Sequence, residues 1–65
     1  MERHAVQVSG HLCGVQVYRL ATNVWIAEGD FLGDQLRARG STAGKAVRAW
    51  HEVAGKRLLA DEAIE

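Results

Sequence analysis

Four groups of residues in this chain have types and spacings that could do chemistry. His4, His11 and Cys13 are metal-ligand types near one another in sequence. A structural zinc site wants four ligands in short paired spacings, and only His11-x-Cys13 comes close, so no metal is expected. Cys13 and His51 have the types of a nucleophile and its base. Nothing supplies the third, orienting group or a pocket, so that pair is not expected to catalyse. Glu28, Asp30 and Asp34 cluster as carboxylates, but acidic residues beside glycine are ordinary turn chemistry. A catalytic carboxylate pair also needs surroundings that push two pKa values apart. Gly29, Gly33 and Gly40 lack the glycine-lysine-serine/threonine ending of a phosphate loop. The expectation is a chain with no catalysis and no cofactor.

Binding chemistry is better supplied. Eight Lys and Arg balance eight Asp and Glu, yet the charges are separated along the chain. Residues 35–59 carry Arg37, Arg39, Lys45, Arg48, Lys56 and Arg57 against Glu52 alone, a net plus five. The rest carries Arg3 and Arg19 against Glu2, Glu28, Asp30, Asp34, Asp61, Glu62 and Glu65, a net minus five. A basic strand leading into a basic helix start attracts phosphate, and the helix N-terminus adds free amides and partial positive charge. The plainer reading of the same charges is a solvated polar face. Of the two tryptophans, Trp50 lies on a helical apolar stripe and belongs in the core. Trp25 alternates against Val24 and Ile26, so one of those two sets must face away from the helix. If Trp25 faces out beside Arg37 and Arg39, it makes a stacking, cationic surface suited to nucleic acid.

The elements that must position these residues fall into two halves. Val6, Val8, Val15 and Val17 alternate around a glycine-rich SGHLCG link, which reads as a hairpin or as one strand after a mobile arm. Strands are expected at Val15–Leu20, Val24–Ala27 and Leu36–Arg39, with the first turn at Ala21, Thr22 and Asn23. Either Gly29-Asp30 or Gly33-Asp34 closes the last hairpin. From Gly40 the period changes. Ser41 or Thr42 caps a helix in which Ala43, Ala46, Val47, Trp50, Val53, Ala54 and Leu58 form one stripe. Gly55 weakens that helix and is a candidate site of fraying or a break, after which KRLLADEAIE either continues the helix or forms a second short one. The fold class is therefore α+β: a three- or four-stranded antiparallel sheet packed on one C-terminal helix, in the order β-β-β-α with an optional N-terminal strand. Residues 1–65 make one domain, with 1–13 an extra strand or arm, 14–40 the sheet, 41–60 the helix and 61–65 a tail.

Length and composition bound the rest. Sixty-five residues bury a thin core, with no disulfide possible from one cysteine, so a homodimer is a reasonable expectation. No run of about 18 apolar residues occurs, so no membrane partner is expected. MERHAVQVSGH holds no apolar stretch of signal-peptide length, and the lone Cys13 fits a reducing compartment, so the expected location is cytoplasmic.

The segments YR, WIAEG and GSTAGKAVRAWHEVA resemble the ethylene-response-factor type of DNA-binding domain, and are similar to the arm-binding domains of phage integrases. Tyr18, Arg19, Trp25, Ala27, Glu28, Gly33, Thr42, Ala43, Ala46, Arg48, Ala49 and Trp50 carry the resemblance, over about residues 15–54. It implies three strands on one helix, with the sheet entering the major groove and Arg19, Trp25, Arg37 and Arg39 as contacts. The hairpin that is basic in that family is acidic here. RGSTAGKAVRAWHEV is also similar to the helix opening of HicB-like antitoxin domains, through Trp25, Ala27, Gly40, Thr42, Ala46 and Glu52. That family oligomerises and binds a partner protein.

The functional expectation is a small nucleic-acid-binding accessory module that contacts duplex DNA through its exposed sheet face and helix N-terminus. Lys45, Arg48, Arg37 and Arg39 supply phosphate contacts, and Arg19 and Trp25 face the bases. The alternative is a protein-interaction module, antitoxin-like or homodimer-forming. A third reading is a domain without a ligand.

Overall fold

The computed structural model describes residues 2–63. Four strands, β1 (Glu2–Val8), β2 (His11–Ala21), β3 (Val24–Phe31) and β4 (Asp34–Gly40), precede one helix, α1 (Ala43–Ala63). The strands pair antiparallel in the spatial order β1-β2-β3-β4, an up-and-down meander. Its turns explain the order. Ser9 and Gly10 have φ of 49° and 84°, and Leu32 and Gly33 have 53° and 85°. Two consecutive left-handed residues are the signature of a type I′ turn, whose twist matches the twist of the flanking strands. The middle turn differs. Only Asn23 is left-handed there (φ 61°), and the β2–β3 register shifts between Arg19 and Ala21.

These turns settle the readings left open. Residues 2–8 form a paired strand rather than an arm, so the sheet has four strands. The last hairpin turns at Leu32-Gly33, and Gly29-Asp30 lies inside β3. The strand therefore runs on to Phe31 instead of ending at Ala27.

One sheet face packs on the helix. Val6, Val8, Cys13, Val15, Val17, Ala27, Phe31 and Ala38 meet Ala46, Trp50 and Ala54 of α1. Trp50 is fully buried, and its indole N–H donates to the carbonyl of Leu36 at 3.1 Å, so the one polar atom of the ring is satisfied. The indole meets Phe31 edge-on, with centroids 6.3 Å apart. Gly29 makes room for it. A Cβ there would sit 2.8 Å from the Gly14 carbonyl and 3.2 Å from Cζ2 of Trp50. Gly40 serves the other end, since a Cβ there would overlap the backbone of Lys45 and Ala46 where α1 crosses the strand.

Thr42 caps the helix. Its hydroxyl accepts from the Lys45 N–H at 3.2 Å, and its carbonyl accepts the first helical bond, from Ala46, at 2.9 Å. The helix passes through Gly55 without a break and reaches Ala63, beyond the expected end at residue 60. Packing on one face sustains it, which the propensity cost of about 1 kcal/mol for a glycine does not overcome. The last two residues of the expected tail, 64 and 65, lie outside the described residues.

Candidate nucleic-acid interface

Alternation builds the site. Leu36 and Ala38 of β4 pack toward the helix, so Gln35, Arg37 and Arg39 project from the opposite, helix-free face. The register extends this face across the sheet. One row runs Arg3, Gln16, Glu28, Arg37 over the four strands. The next runs Tyr18, Ile26, Arg39. On the other side Ala5 pairs with Gly14, and Asp30 with Gln35. The face thus carries three arginines against two carboxylates, with three glutamines, a tyrosine and, where Gln7 pairs with it, the exposed Leu12. Arg3, Gly14, Gln16, Glu28, Asp30 and Gln35 line a shallow open trough. Its floor is low at Gly14, where a Cβ would meet nothing within 4 Å.

Glu28 is the hub. Its Oε2 accepts from the Tyr18 hydroxyl at 2.9 Å and pairs with the Arg37 guanidinium at 2.6 Å. The Glu28 side chain is only 16% exposed, whereas that of Arg37 is 68% exposed. The carboxylate is sunk between its partners and the arginine stands out. The hydrogen bond to Glu28 is the main reason the Tyr18 phenol is raised above its ordinary value of 10.0; desolvation and the carboxylate charge add to it, and Arg37 opposes them. Ile26 lies on the same face but is 6% exposed, with Tyr18 and Arg39 as its cross-strand neighbours.

The six expected contact residues do not form one surface. Arg37 and Arg39 share the open face. Trp25 packs against the core on the helix side, opposite Gly40, so it does not stack beside the two arginines. At Gly40 the backbone of α1 occupies the place a side chain would take, and the position nearer the middle of β3 on this side is the small, fully buried Ala27. Arg19 is Trp25's partner on β2 and shares its side of the sheet, solvent-exposed. Lys45 and Arg48 are exposed on α1, the layer behind the sheet. Conversely, Arg3, Gln16 and Gln35 join the open face although they were not expected as contacts. Their signal was the alternation of Gln16 and Tyr18 between Val15 and Val17, which needs the register of β1 and β4 to become a surface.

The charge separation is partly closed within the chain. Glu28 pairs with Arg37, and Asp34 pairs with Arg57 of α1. Cys13 is buried and its thiol donates to the His11 carbonyl at 3.7 Å; the His11 ring stands edge-on to Phe31, 5.9 Å between centroids. Among the described residues no three His, Cys, Asp or Glu gather where they could hold a metal ion. No described helix is long and apolar enough to cross a membrane. In comparisons with known proteins no family model matches the chain, and no curated protein or solved structure gives a significant match.

Proposed function

We propose that this chain is a non-catalytic nucleic-acid-binding module that offers the helix-free face of its sheet to duplex DNA. The observation that carries the reading is the projection of Arg37 and Arg39 from alternate positions of β4 on a face without a covering layer. Gln16, Gln35 and Arg3 on the same face add donors and acceptors of the kind that read base edges and phosphates. Strands are a known way to fill a major groove, which is about 12 Å wide. The resemblance of residues 15–54 to sheet-reading DNA-binding domains supports this use of the face for Arg37 and Arg39, whereas Arg19 and Trp25, the other two contacts it implies, lie on the helix side.

Titration of a mixed-sequence duplex at low salt tests the reading. Binding at micromolar protein, lost in an Arg37→Ala/Arg39→Ala double variant whose thermal midpoint is nearly unchanged, is the expected result. Both side chains are exposed, and surface ion pairs contribute only about 0–1 kcal/mol. Absence of binding by the unaltered chain at low salt sinks the reading.

A second reading, self-association or a protein partner, has an observation of its own. Leu12, Leu32 and Leu59 are 76%, 47% and 65% exposed. The β1–β2 and β3–β4 turns lie at one end of the meander, and the Asp34–Arg57 pair brings the later part of α1 to that end. A thermal midpoint that rises with protein concentration supports this use, and a monomer at all concentrations rejects it.

A further inference from the structure

We infer that Glu28 is a positioning residue that divides the work of the open face, assigning Arg37 to a neutral acceptor pair on a base edge, of the guanine type, and Arg39 to phosphate. This rests on the duplex-binding reading above. A guanidinium has five N–H donors in a rigid fork, and the Glu28 contact engages one terminal nitrogen of Arg37. The rest of the fork remains free, on a side chain that is 68% exposed. The pair Arg37–Glu28 carries no net charge, so it neutralises no phosphate and releases no counterion. Its remaining N–H groups still match two adjacent neutral acceptors, the arrangement of O6 and N7 of guanine in the major groove.

Glu28 can hold this position because it is itself held. Tyr18 donates to the same oxygen that binds Arg37, and the carboxylate is 16% exposed. Part of the ordering cost of the long arginine side chain is thus met before a ligand arrives. Arg39 is built differently. It has no ion pair among the described residues, stands opposite Ile26 and keeps its full charge. One row of the face therefore presents a fixed, neutralised fork, and the next row a free cation.

Anisotropy titrations of duplex between low and moderate salt, with selection from a randomised duplex pool, test the division in the unaltered chain, Arg37→Ala, Arg39→Ala and Glu28→Gln. Arg39→Ala should lower the salt slope by about 0.9 and leave base preference intact. Arg37→Ala removes no phosphate contact, so it should lower the slope less than Arg39→Ala does, even though the bared Glu28 carboxylate weakens binding. It should also cost roughly tenfold in preference for guanine-containing sites. Glu28→Gln should raise the slope by about 0.9, because the Arg37 charge is no longer offset by a carboxylate, and weaken the preference. A Tyr18 phenol that titrates closer to 10.0 in Glu28→Gln, in a variant that keeps a cooperative thermal transition, shows that the contact was removed from a folded chain. Equal slope losses in the two arginine variants, or an unaltered slope and preference in Glu28→Gln, overturn the division while duplex binding stands. No binding by the unaltered chain removes the duplex reading and the division with it.

Discussion

At the scale of residues, the sharpest demands come from places where a backbone must come close to something. Gly29 is one. The Cβ of an alanine there would lie 2.8 Å from the Gly14 carbonyl, which cannot move without disturbing the β2–β3 ladder, and 3.2 Å from the fully buried Trp50. Gly29→Ala should therefore destabilise the chain by about 1–3 kcal/mol, as overpacking does. Chemical denaturation checks it, and an unchanged midpoint denies the contact. Tyr18 supplies a second residue-scale prediction. Its folded pKa is raised, so the Glu28 bond stabilises the fold fully below the unfolded phenol value near 10 and is lost as pH rises through the folded value. The chain has a single tyrosine, so its ultraviolet titration is unambiguous. A midpoint above 10.0 is expected, with a lower one in Glu28→Gln. Of these residues only Trp50 was legible beforehand, because a helical stripe identifies it from local spacing. The need for glycine at 29 and the Glu28 hub arise from partners 14 to 21 and 9 to 10 positions away respectively, and become visible only with register.

At the scale of elements, the turns decide where each strand begins and ends, and one of them carries a strained residue. Leu32 occupies a left-handed position at φ 53°, where a side chain without a short polar group costs about 1–2 kcal/mol. Asn-Gly is the favoured pair for this turn type. Leu32→Asn should raise the thermal midpoint by several degrees, since about 1 kcal/mol moves a domain of 60–100 residues by roughly 4–8 °C. A lower midpoint would mean that Leu32, 47% exposed, contributes packing that outweighs its strain. The turn also explains what alternation alone missed. Leu-Gly is not a strong hairpin pair, while Gly-Asp occurs twice nearby, so the residue types leave the turn open. Pairing Phe31 with Asp34 closes it. The helix was legible because its stripe spans several turns, and its cap narrowed to Thr42 once the Lys45 amide could be located.

At the scale of the whole molecule, the balance of charge sets how strongly an open face of this kind can hold DNA. The net plus five of residues 35–59 overstates it, because Glu28 neutralises Arg37, Asp34 neutralises Arg57, and Lys45 and Arg48 lie in the other layer. On the open face Arg3 and Arg39 remain as cations without an ion pair among the described residues, and the Asp30 carboxylate on the same face subtracts from their pull. Two phosphate contacts give a salt slope of about 1.8. Affinity should then fall only about 12-fold between 50 and 200 mM salt, against the 10³-fold or more of a domain with six or more phosphate contacts. A shallow slope means weak non-specific attraction, so useful affinity must come from base contacts or from several copies acting together on one duplex. Titration across that salt range measures the slope directly. A value near 2 agrees with two free cations on one face, and a value of 5 or more requires Lys45, Arg48 and the rest of the basic segment to reach the DNA, which would move the interface from the sheet to the helix.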